Sequence, residues 1–216
     1  METISIITLG EAAVGKTSIL KRITQKTYED NYSITLSLDF LYLTKDYKNK
    51  SFNQIKYHFY DTAGGETYNA LTKNYIRGRD IVLLVFCDID SLEVLQRRWF
   101  GFIKDNADIS KTKFIVVANK SDTFGDNYEK IKSKGKEFAR DIDAFFITCS
   151  AKSKENMDNL EDHIEYEAIR VIEARQEQQK KSSNQNNKNS SENDRYKLDN
   201  KVSKKKSSCW LVNLFS

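Results

Sequence analysis

The chain lacks the features that would mark it as a membrane-spanning or a cross-linked protein. No apolar run approaches the ~18 residues that a transmembrane helix requires, so nothing is expected to span a bilayer. The three cysteines, Cys87, Cys149 and Cys209, show no pairing pattern and no Cys-x-x-Cys. That excludes a disulfide scaffold and points to a reduced, cytoplasmic compartment. The two histidines, His58 and His163, are isolated and lack metal-ligand spacing. There are no internal repeats. The N-terminus opens directly on strand-like residues, so no signal peptide is expected. Proline is absent, while Asn and Lys are plentiful, a composition that reflects the genome more than a function. The formal net charge of +4 is small, and the positive residues gather near the C-terminus. No aromatic residues interleave with those lysines, so no nucleic-acid partner is expected. A length of 216 residues is enough for one domain with a real core and a tail.

What is present is a glycine loop. Gly10-Glu11-Ala12-Ala13-Val14-Gly15-Lys16-Thr17 fits G-x-x-x-x-G-K-[ST]. It follows the apolar, β-branched run Ile4-Ser5-Ile6-Ile7-Thr8-Leu9 and precedes the helix-like Ser18-Ile19-Leu20-Lys21-Arg22-Ile23. Strand, glycine loop and helix are the context that this phosphate-binding motif requires. Gly10 and Gly15 allow backbone conformations that a side chain would block. The freed N–H groups, with those of Ala13, Val14 and the residues through Ser18, form an anion nest at a helix N-terminus. Lys16 supplies a cation for the β- and γ-phosphates, and the Thr17 hydroxyl is a hard oxygen ligand for Mg²⁺.

Further on, strands and helices alternate. A helix is predicted over about 16–26, a loop from Lys26 to Ser33, a strand over Leu36–Leu43, a turn over Tyr47–Ser51 and a strand over Phe52–Tyr60. So short a connection makes those two strands an antiparallel hairpin at the sheet edge. Asp61-Thr62-Ala63-Gly64-Gly65-Glu66 follows, with an acidic residue where a second metal ligand is expected. Ile81–Phe86 and Phe114–Ala118 read as buried central strands, Ala144–Thr148 as the last strand. Helices are predicted over Leu92–Asn106, over 128–142 and from about Ser153, the last with Asn156, Leu160, Ile164, Ala168, Val171 and Ile172 along its apolar stripe. This order implies an α/β fold with a parallel, doubly wound sheet and one antiparallel edge strand. Ligands then bind at the carboxyl ends of the strands, where all the polar motifs fall. From Gln176 the composition turns to Gln, Asn, Lys and Ser, and a disordered tail is expected over 176–216, after a domain over 1–175.

Asn119-Lys120-x-Asp122 specifies the base. The Asp122 carboxylate can accept from both the ring N–H and the amino group of guanine, a pair that adenine does not offer. Asn119 would brace the neighbouring loops and the Lys120 stem would cover the base. Ser150-Ala151-Lys152 would offer the Ala151 N–H to the guanine carbonyl.

Together these residues resemble the small GTPases of the Ras superfamily over roughly 1–172, and most of all the Rab family. Thr35-Leu36-Ser37-Leu38-Asp39-Phe40 is similar to T-I-G-V-D-F, Tyr60-Asp61-Thr62-Ala63-Gly64 to W-D-T-A-G, Tyr75-Ile76-Arg77-Gly78 to Y-Y-R-G, and Leu84-Val85-Phe86-Cys87-Asp88-Ile89 to L-V-Y-D-I-T with one residue inserted or the pattern shifted. The resemblance implies a P-loop GTPase fold: a mostly parallel six-stranded sheet with one antiparallel edge strand and helices on both faces. It implies GTP/GDP and Mg²⁺ as ligands. Thr35 would close on Mg²⁺ and the γ-phosphate, Asp61 would hold Mg²⁺ through water, the Gly64 N–H would touch the γ-phosphate, and Tyr28 would stack on the guanine edge. Phe40, Tyr60 and Tyr75 fall where Rabs carry an aromatic triad read by effectors; ordinary apolar packing accounts for them equally well. The implied partners are effectors, an exchange factor and an activating protein, met by a monomer on the cytosolic face of an intracellular membrane.

Two departures concern the reaction centre. Gly65 stands where the family usually has the Gln that orients the attacking water, and Ala12 stands where a smaller or polar residue is common in the family, at a position that the resemblance puts close to the γ-phosphate. Slow intrinsic hydrolysis is expected, with a hydrolysis-poor scaffold as the alternative reading. The base motif argues against a third reading, a P-loop ATPase or small-molecule kinase. The tail departs too: Cys209 is followed by Trp210-Leu211-Val212-Asn213-Leu214-Phe215-Ser216, so a C-a-a-X ending is absent. The cluster Lys204-Lys205-Lys206, an acylated Cys209 and shallow insertion of Trp210 would still make a peripheral membrane anchor.

Overall fold

A computed structural model describes residues 1–29, 35, 38–48, 51–64, 74–106 and 109–182. The first of two compact units, Met1–Arg170, holds a six-stranded sheet. The strands are β1 (Glu2–Leu9), β2 (Asp39–Asp46), β3 (Gln54–Asp61), β4 (Ile81–Phe86), β5 (Lys113–Ala118) and β6 (Phe145–Thr148). Their order is β2-β3-β1-β4-β5-β6, and only β2 is antiparallel to its neighbour. Helices among the described residues include α1 (Lys16–Gln25), α2 (Ile89–Val94), α3 (Gly101–Asn106), α4 (Tyr128–Asp141) and α5 (157–170). A π-helical turn, Leu95–Phe100, joins α2 to α3. Among the described residues no helix is long and apolar enough to cross a membrane.

β4 is buried along its whole length, as a central strand with both faces covered must be. Ile7, Leu9, Val82, Leu84, Phe86, Val116 and Ala118 share one cluster with Trp99 of the π turn, Ile103 of α3 and Phe138 of α4. The alternate positions Ile4, Ile6, Leu83, Val85, Ile115 and Val117 point to the opposite face and are equally buried. On that side Ile23 of α1 and Ile164 of α5 border a small void with Tyr57 and Phe59 of β3.

Several boundaries differ from the sequence expectation, each for a local reason. β2 runs Asp39–Asp46 rather than 36–43 because its register is set by pairing with β3, from Asp39↔Asp61 to Asp46↔Gln54. Leu36 and Ser37 of the expected strand lie outside the described residues, as do Asn49 and Lys50 of the expected turn and 30–33 of the expected loop. β3 begins at Gln54; Phe52 is buried outside the ladder, edge-on to Tyr47. α1 ends at Gln25 because Lys26 turns left-handed, with φ 57°. α2 begins at Ile89, three residues earlier than expected, because Asp88 and Ser91 form a reciprocal cap: Asp88 Oδ1 accepts from the Ser91 N–H at 2.7 Å and Ser91 Oγ from the Asp88 N–H at 3.0 Å. α4 stops at Asp141 and β6 starts at Phe145, each one residue short of its expected range. α5 starts at 157, not near Ser153. Lys154 and Asn156 have φ of 70° and 54°, and Asn156 leaves the apolar stripe to donate through Nδ2 to Thr148 O at 2.9 Å.

The second unit is Val171–Ser216, and its described residues, 171–182, are helical. Helix thus extends past Gln176, where the sequence reading began a disordered tail. Glu173, Gln176, Glu177 and Lys180 are straight-chain helix formers, and propensity holds where apolar periodicity has ended.

Candidate nucleotide-binding site

The strand order places the loop after β1 at the reversal of the sheet. From β1 the chain fills β3 and β2 on one side, then crosses to β4, β5 and β6 on the other. The crevice at such a switch point is where open α/β sheets bind ligands. The loop backbone is bent to fit. Gly10 has φ 150° and Gly15 φ 92°, and Ala13 holds φ 61° despite its side chain. A Cβ on Gly10 would lie 2.1 Å from Val85 O, and one on Gly15 2.3 Å from Asn119 Nδ2. Gly64 meets the loop from the far side: a Cβ there would lie 2.5 Å from both N and Cα of Ala12. These glycines are required by close approach.

Lys16 is 5 % exposed, and its ammonium donates to Gly10 O at 3.0 Å and Glu11 O at 2.9 Å. Burial lowers its pKa to about 8, against the opposing pull of Asp61 and Glu11. Beside it, Thr17 Oγ1 donates to Asp61 Oδ2 at 2.6 Å and lies 3.0 Å from Thr35 Oγ1. Thr8 Oγ1 donates to Asp61 Oδ1 at 3.4 Å. Burial raises the Asp61 pKa, while the Thr17 hydrogen bond and Lys16 pull it down. Two hydroxyls and a carboxylate make an all-oxygen donor set, which fits a hard cation such as Mg²⁺. Among the described residues no cluster of three His, Cys, Asp or Glu side chains could hold a metal instead.

Three loops meet on the other side of the lysine. Asn119 is 2 % exposed and donates through Nδ2 to Val14 O at 2.9 Å. Its Oδ1 accepts from the Ala151 N–H at 3.1 Å. The sequence reading reserved that N–H for a guanine carbonyl; here it is taken by the Asn119 side chain, which bridges the two loops. Lys120 has φ 65°, turning the chain so that Asp122 faces Ser150, whose Oγ donates to Asp122 Oδ1 at 2.5 Å. Ser150 Oγ in turn accepts from the Ser153 N–H at 3.0 Å.

Arg22 is a residue that sequence reasoning missed. Its guanidinium is buried on the inner face of α1, where it donates from Nε to Ala151 O at 2.9 Å, from Nη2 to Lys152 O at 3.4 Å and from Nη1 to Lys26 O at 3.2 Å. It also lies 5.5 Å from the centroid of the Tyr28 ring. One cation therefore ties the end of α1, Tyr28 and the 150–152 loop together. The signal was an arginine amid Ile19, Leu20 and Ile23 on the buried helix face, where a charge must find partners. Ser121 Oγ also donates to Glu155 Oε2 at 2.6 Å, fastening the base-side loops once more.

The structure thus brings Gly10, Val14, Gly15, Lys16, Thr17, Thr35, Asp61, Gly64, Asn119, Asp122, Ser150, Ala151 and Lys152 to one end of the sheet, with Ala13 in the loop, Ser18 in the first turn of α1 and Lys120 in the turn after β5. Gly65 and Cys209 lie outside the described residues. At the β2–β3 edge, Phe40 packs edge-on to Tyr60 at 5.1 Å and to Tyr75 at 6.5 Å between centroids. The Arg79 guanidinium lies 4.0 Å over the Tyr60 ring and donates to Tyr75 O at 2.7 Å. Phe40 remains 48 % exposed, whereas Tyr60 and Tyr75 are half-buried and pack against the core, so the cluster joins the surface to the interior.

Comparison with known proteins agrees with this geometry. The family model described as the Ras family matches residues 5–170. The chain is 32% identical over 157 residues to Ras-related protein Rab-18 of Lymnaea stagnalis, covering 72% of this chain and 75% of that protein. It is 31% identical over 159 residues to Ras-related protein Rab-18-B of Danio rerio, covering 73% and 75%. To Ras-related protein SEC4 of Candida albicans it is 30% identical over 157 residues, covering 72% of each.

Proposed function

Because the chain belongs to the Ras family and is a Rab-like small GTPase, we propose that it is a guanine-nucleotide switch of vesicle traffic whose intrinsic hydrolysis is slow. The observation that carries this reading is the Asn119 side chain, which joins the phosphate loop at Val14 to the base-side loop at Ala151. The loop amides and Lys16 hold the phosphates, and Asp122 accepts from the guanine edge. Mg²⁺, when bound, neutralises phosphate charge; Thr17, Thr35 and Asp61 are the oxygens that would hold it. Thr35 and Gly64 order their loops on a triphosphate and release them on a diphosphate.

With glycine at position 65, no side chain there can orient the attacking water. An activating protein compensates: an arginine supplied in trans is worth roughly 10³–10⁵ in rate. Effectors read exposed Phe40 with half-buried Tyr60 and Tyr75 behind it, and an exchange factor reloads the site. The domain over 1–175 acts as a monomer, while the Lys-rich tail, Trp210 and an acylated Cys209 keep it at the cytosolic face of an intracellular membrane, two weak signals together making a stable anchor. A second reading, a GTP-bound scaffold that hardly turns over, is favoured by the pair Ala12 and Gly65 at the reaction centre.

Single-turnover release of phosphate from preloaded GTP, with Mg²⁺ and with ATP as competitor, tests the proposal. Tight, ATP-resistant binding with slow release that Gly65→Gln accelerates is the expected result. Release at the rate of a Gln-containing relative would overturn the role given to Gly65. Failure of an activating protein to raise the rate would favour the scaffold.

A further inference from the structure

An ion pair at the phosphate loop has no role in the site so described. Glu11 folds back over its own loop: Oε1 accepts from the Ala12 N–H at 3.0 Å, and its main-chain oxygen accepts from Lys16 Nζ at 2.9 Å. Its Oε2 faces Arg98 Nη1 at 3.9 Å, with the Arg98 side chain 23% and the Glu11 side chain 30% exposed. Arg98 is held there by the π-helical turn Leu95–Phe100, pinned on either side by buried Leu95 and Trp99. Such turns recur at functional positions because they re-aim side chains out of the ordinary helical register.

The placement matters electrostatically. The Glu11 main chain holds Lys16 Nζ at 2.9 Å while its carboxylate lies back on the Ala12 N–H at 3.0 Å, so that charge stands on the same loop as the phosphate-binding cation. A carboxylate so placed repels a phosphate, and most of all the one nearest Ala12. Gly64, whose N–H the family resemblance assigns to the γ-phosphate, packs directly on Ala12. A triphosphate places more negative charge on this side of the loop than a diphosphate does.

We infer that Arg98 is a positioning residue for nucleotide choice: paired with Glu11, it neutralises the carboxylate at the loop and so keeps the site open to a third phosphate. Without Arg98, the Glu11 charge acts against GTP more than against GDP. This inference rests on the guanine-nucleotide reading above.

The test measures dissociation of fluorescent GDP and of a non-hydrolysable GTP analogue from the full chain with Mg²⁺, for the wild type, Arg98→Ala, Glu11→Gln and the double variant. Arg98→Ala is expected to speed release of the triphosphate relative to the diphosphate by up to about fivefold, the scale of a partly exposed ion pair. The effect shrinks as salt screens it. Glu11→Gln alone shifts the ratio toward the triphosphate, and the double variant restores at least the wild-type ratio. Equal acceleration of both nucleotides by Arg98→Ala, as a merely structural role would produce, overturns the inference. So does a double variant that keeps the Arg98→Ala ratio. If Arg98→Ala does not fold, Glu11→Gln decides alone, and an unchanged ratio refutes the pair. Wild-type protein that holds neither nucleotide overturns the guanine-nucleotide reading itself, and this inference with it.

Discussion

Replacing Asn119 by alanine strips the site of the side chain that joins its loops. The amide is 2 % exposed and serves Val14 O at 2.9 Å and the Ala151 N–H at 3.1 Å. Both backbone groups lie in loops that no strand ladder satisfies, so removing their shared partner leaves two buried polar groups bare. Each such orphan costs about 1–3 kcal/mol, which gives a total of roughly 2–6 kcal/mol. Water entering the vacated space would hold the loss to the lower half of that range. For a domain of this size about 2–4 °C of Tm follows each kcal/mol, so a drop on the order of 10 °C is expected. Thermal unfolding at fixed GDP concentration measures it, because bound ligand itself raises Tm. Asn119→Asp sharpens the test. It keeps an acceptor toward Ala151 but sets a second acceptor against Val14 O, so it should be at least as damaging although it is isosteric. A Tm within about 2 °C of wild type for either variant would refute the bridging role, since even one orphaned group should cost more.

Two glycines outside the site should respond in opposite directions. In α4 a Cβ on Gly135 would lie 2.3 Å from Phe146 Cε2 and 2.9 Å from Phe86 Cζ, so Gly135→Ala overpacks the core and costs about 1–3 kcal/mol despite alanine's better helix propensity. At Gly101, which starts α3, an added Cβ would meet nothing within 4 Å, so Gly101→Ala gains about 0.5–1 kcal/mol; denaturant midpoints of the two variants that move the same way would contradict this. The histidines supply a pH dependence. Burial, with Lys56 and Arg79 nearby, lowers the His58 pKa; burial and Arg170 lower that of His163, against Glu167, while its ring stacks on Phe145 at 3.4 Å. Below about pH 6.5 the unfolded chain therefore binds more protons than the folded one. Their stabilisation is complete above that pH and is lost as the pH falls through it. Unfolding free energies between pH 7.5 and 5.5 should decline and should flatten in a His58→Gln/His163→Gln variant; stability that rises toward pH 5.5 would show the sign to be wrong.

The sheet was readable because its strands announce themselves differently. Ile81–Phe86 has no polar residue to spare for a surface, so it can only be central. Asp39–Asp46 alternates exposed and half-buried positions, as an edge strand with one face inward does. What the residues did not show was where the hairpin locks. Apolar content placed β2 about three residues early, whereas the register is decided by the pairing with β3, an interaction between two segments that neither displays alone. The start of α2 failed for a related reason: Asp88 and Ser91 carry no apolar signal, yet their reciprocal hydrogen bonds set the first turn.

The site was more legible than the fold's boundaries because a parallel sheet converts sequence order into position. Each motif that follows a strand must emerge at the same edge, so Gly10 after β1, Asp61 at the end of β3, Asn119 after β5 and Ser150 after β6 converge although Val14 and Asn119 are 105 residues apart. That argument predicts which loops meet but not which side chain joins them. Arg22 and Arg98 show the limit. Both belong to helices, where 3.6-residue periodicity reports apolar faces and is blind to a cation turned inward. Arg22 is detectable only because a charge on an apolar face must be paired. Arg98 lies in a π turn, where the ordinary helical register is broken, so extrapolating the spacing of Leu92 and Leu95 says nothing of where its guanidinium points. The residues that adjust this site are therefore the ones whose orientation depends on a helix end or a helix defect, and these become visible only when the backbone is in place.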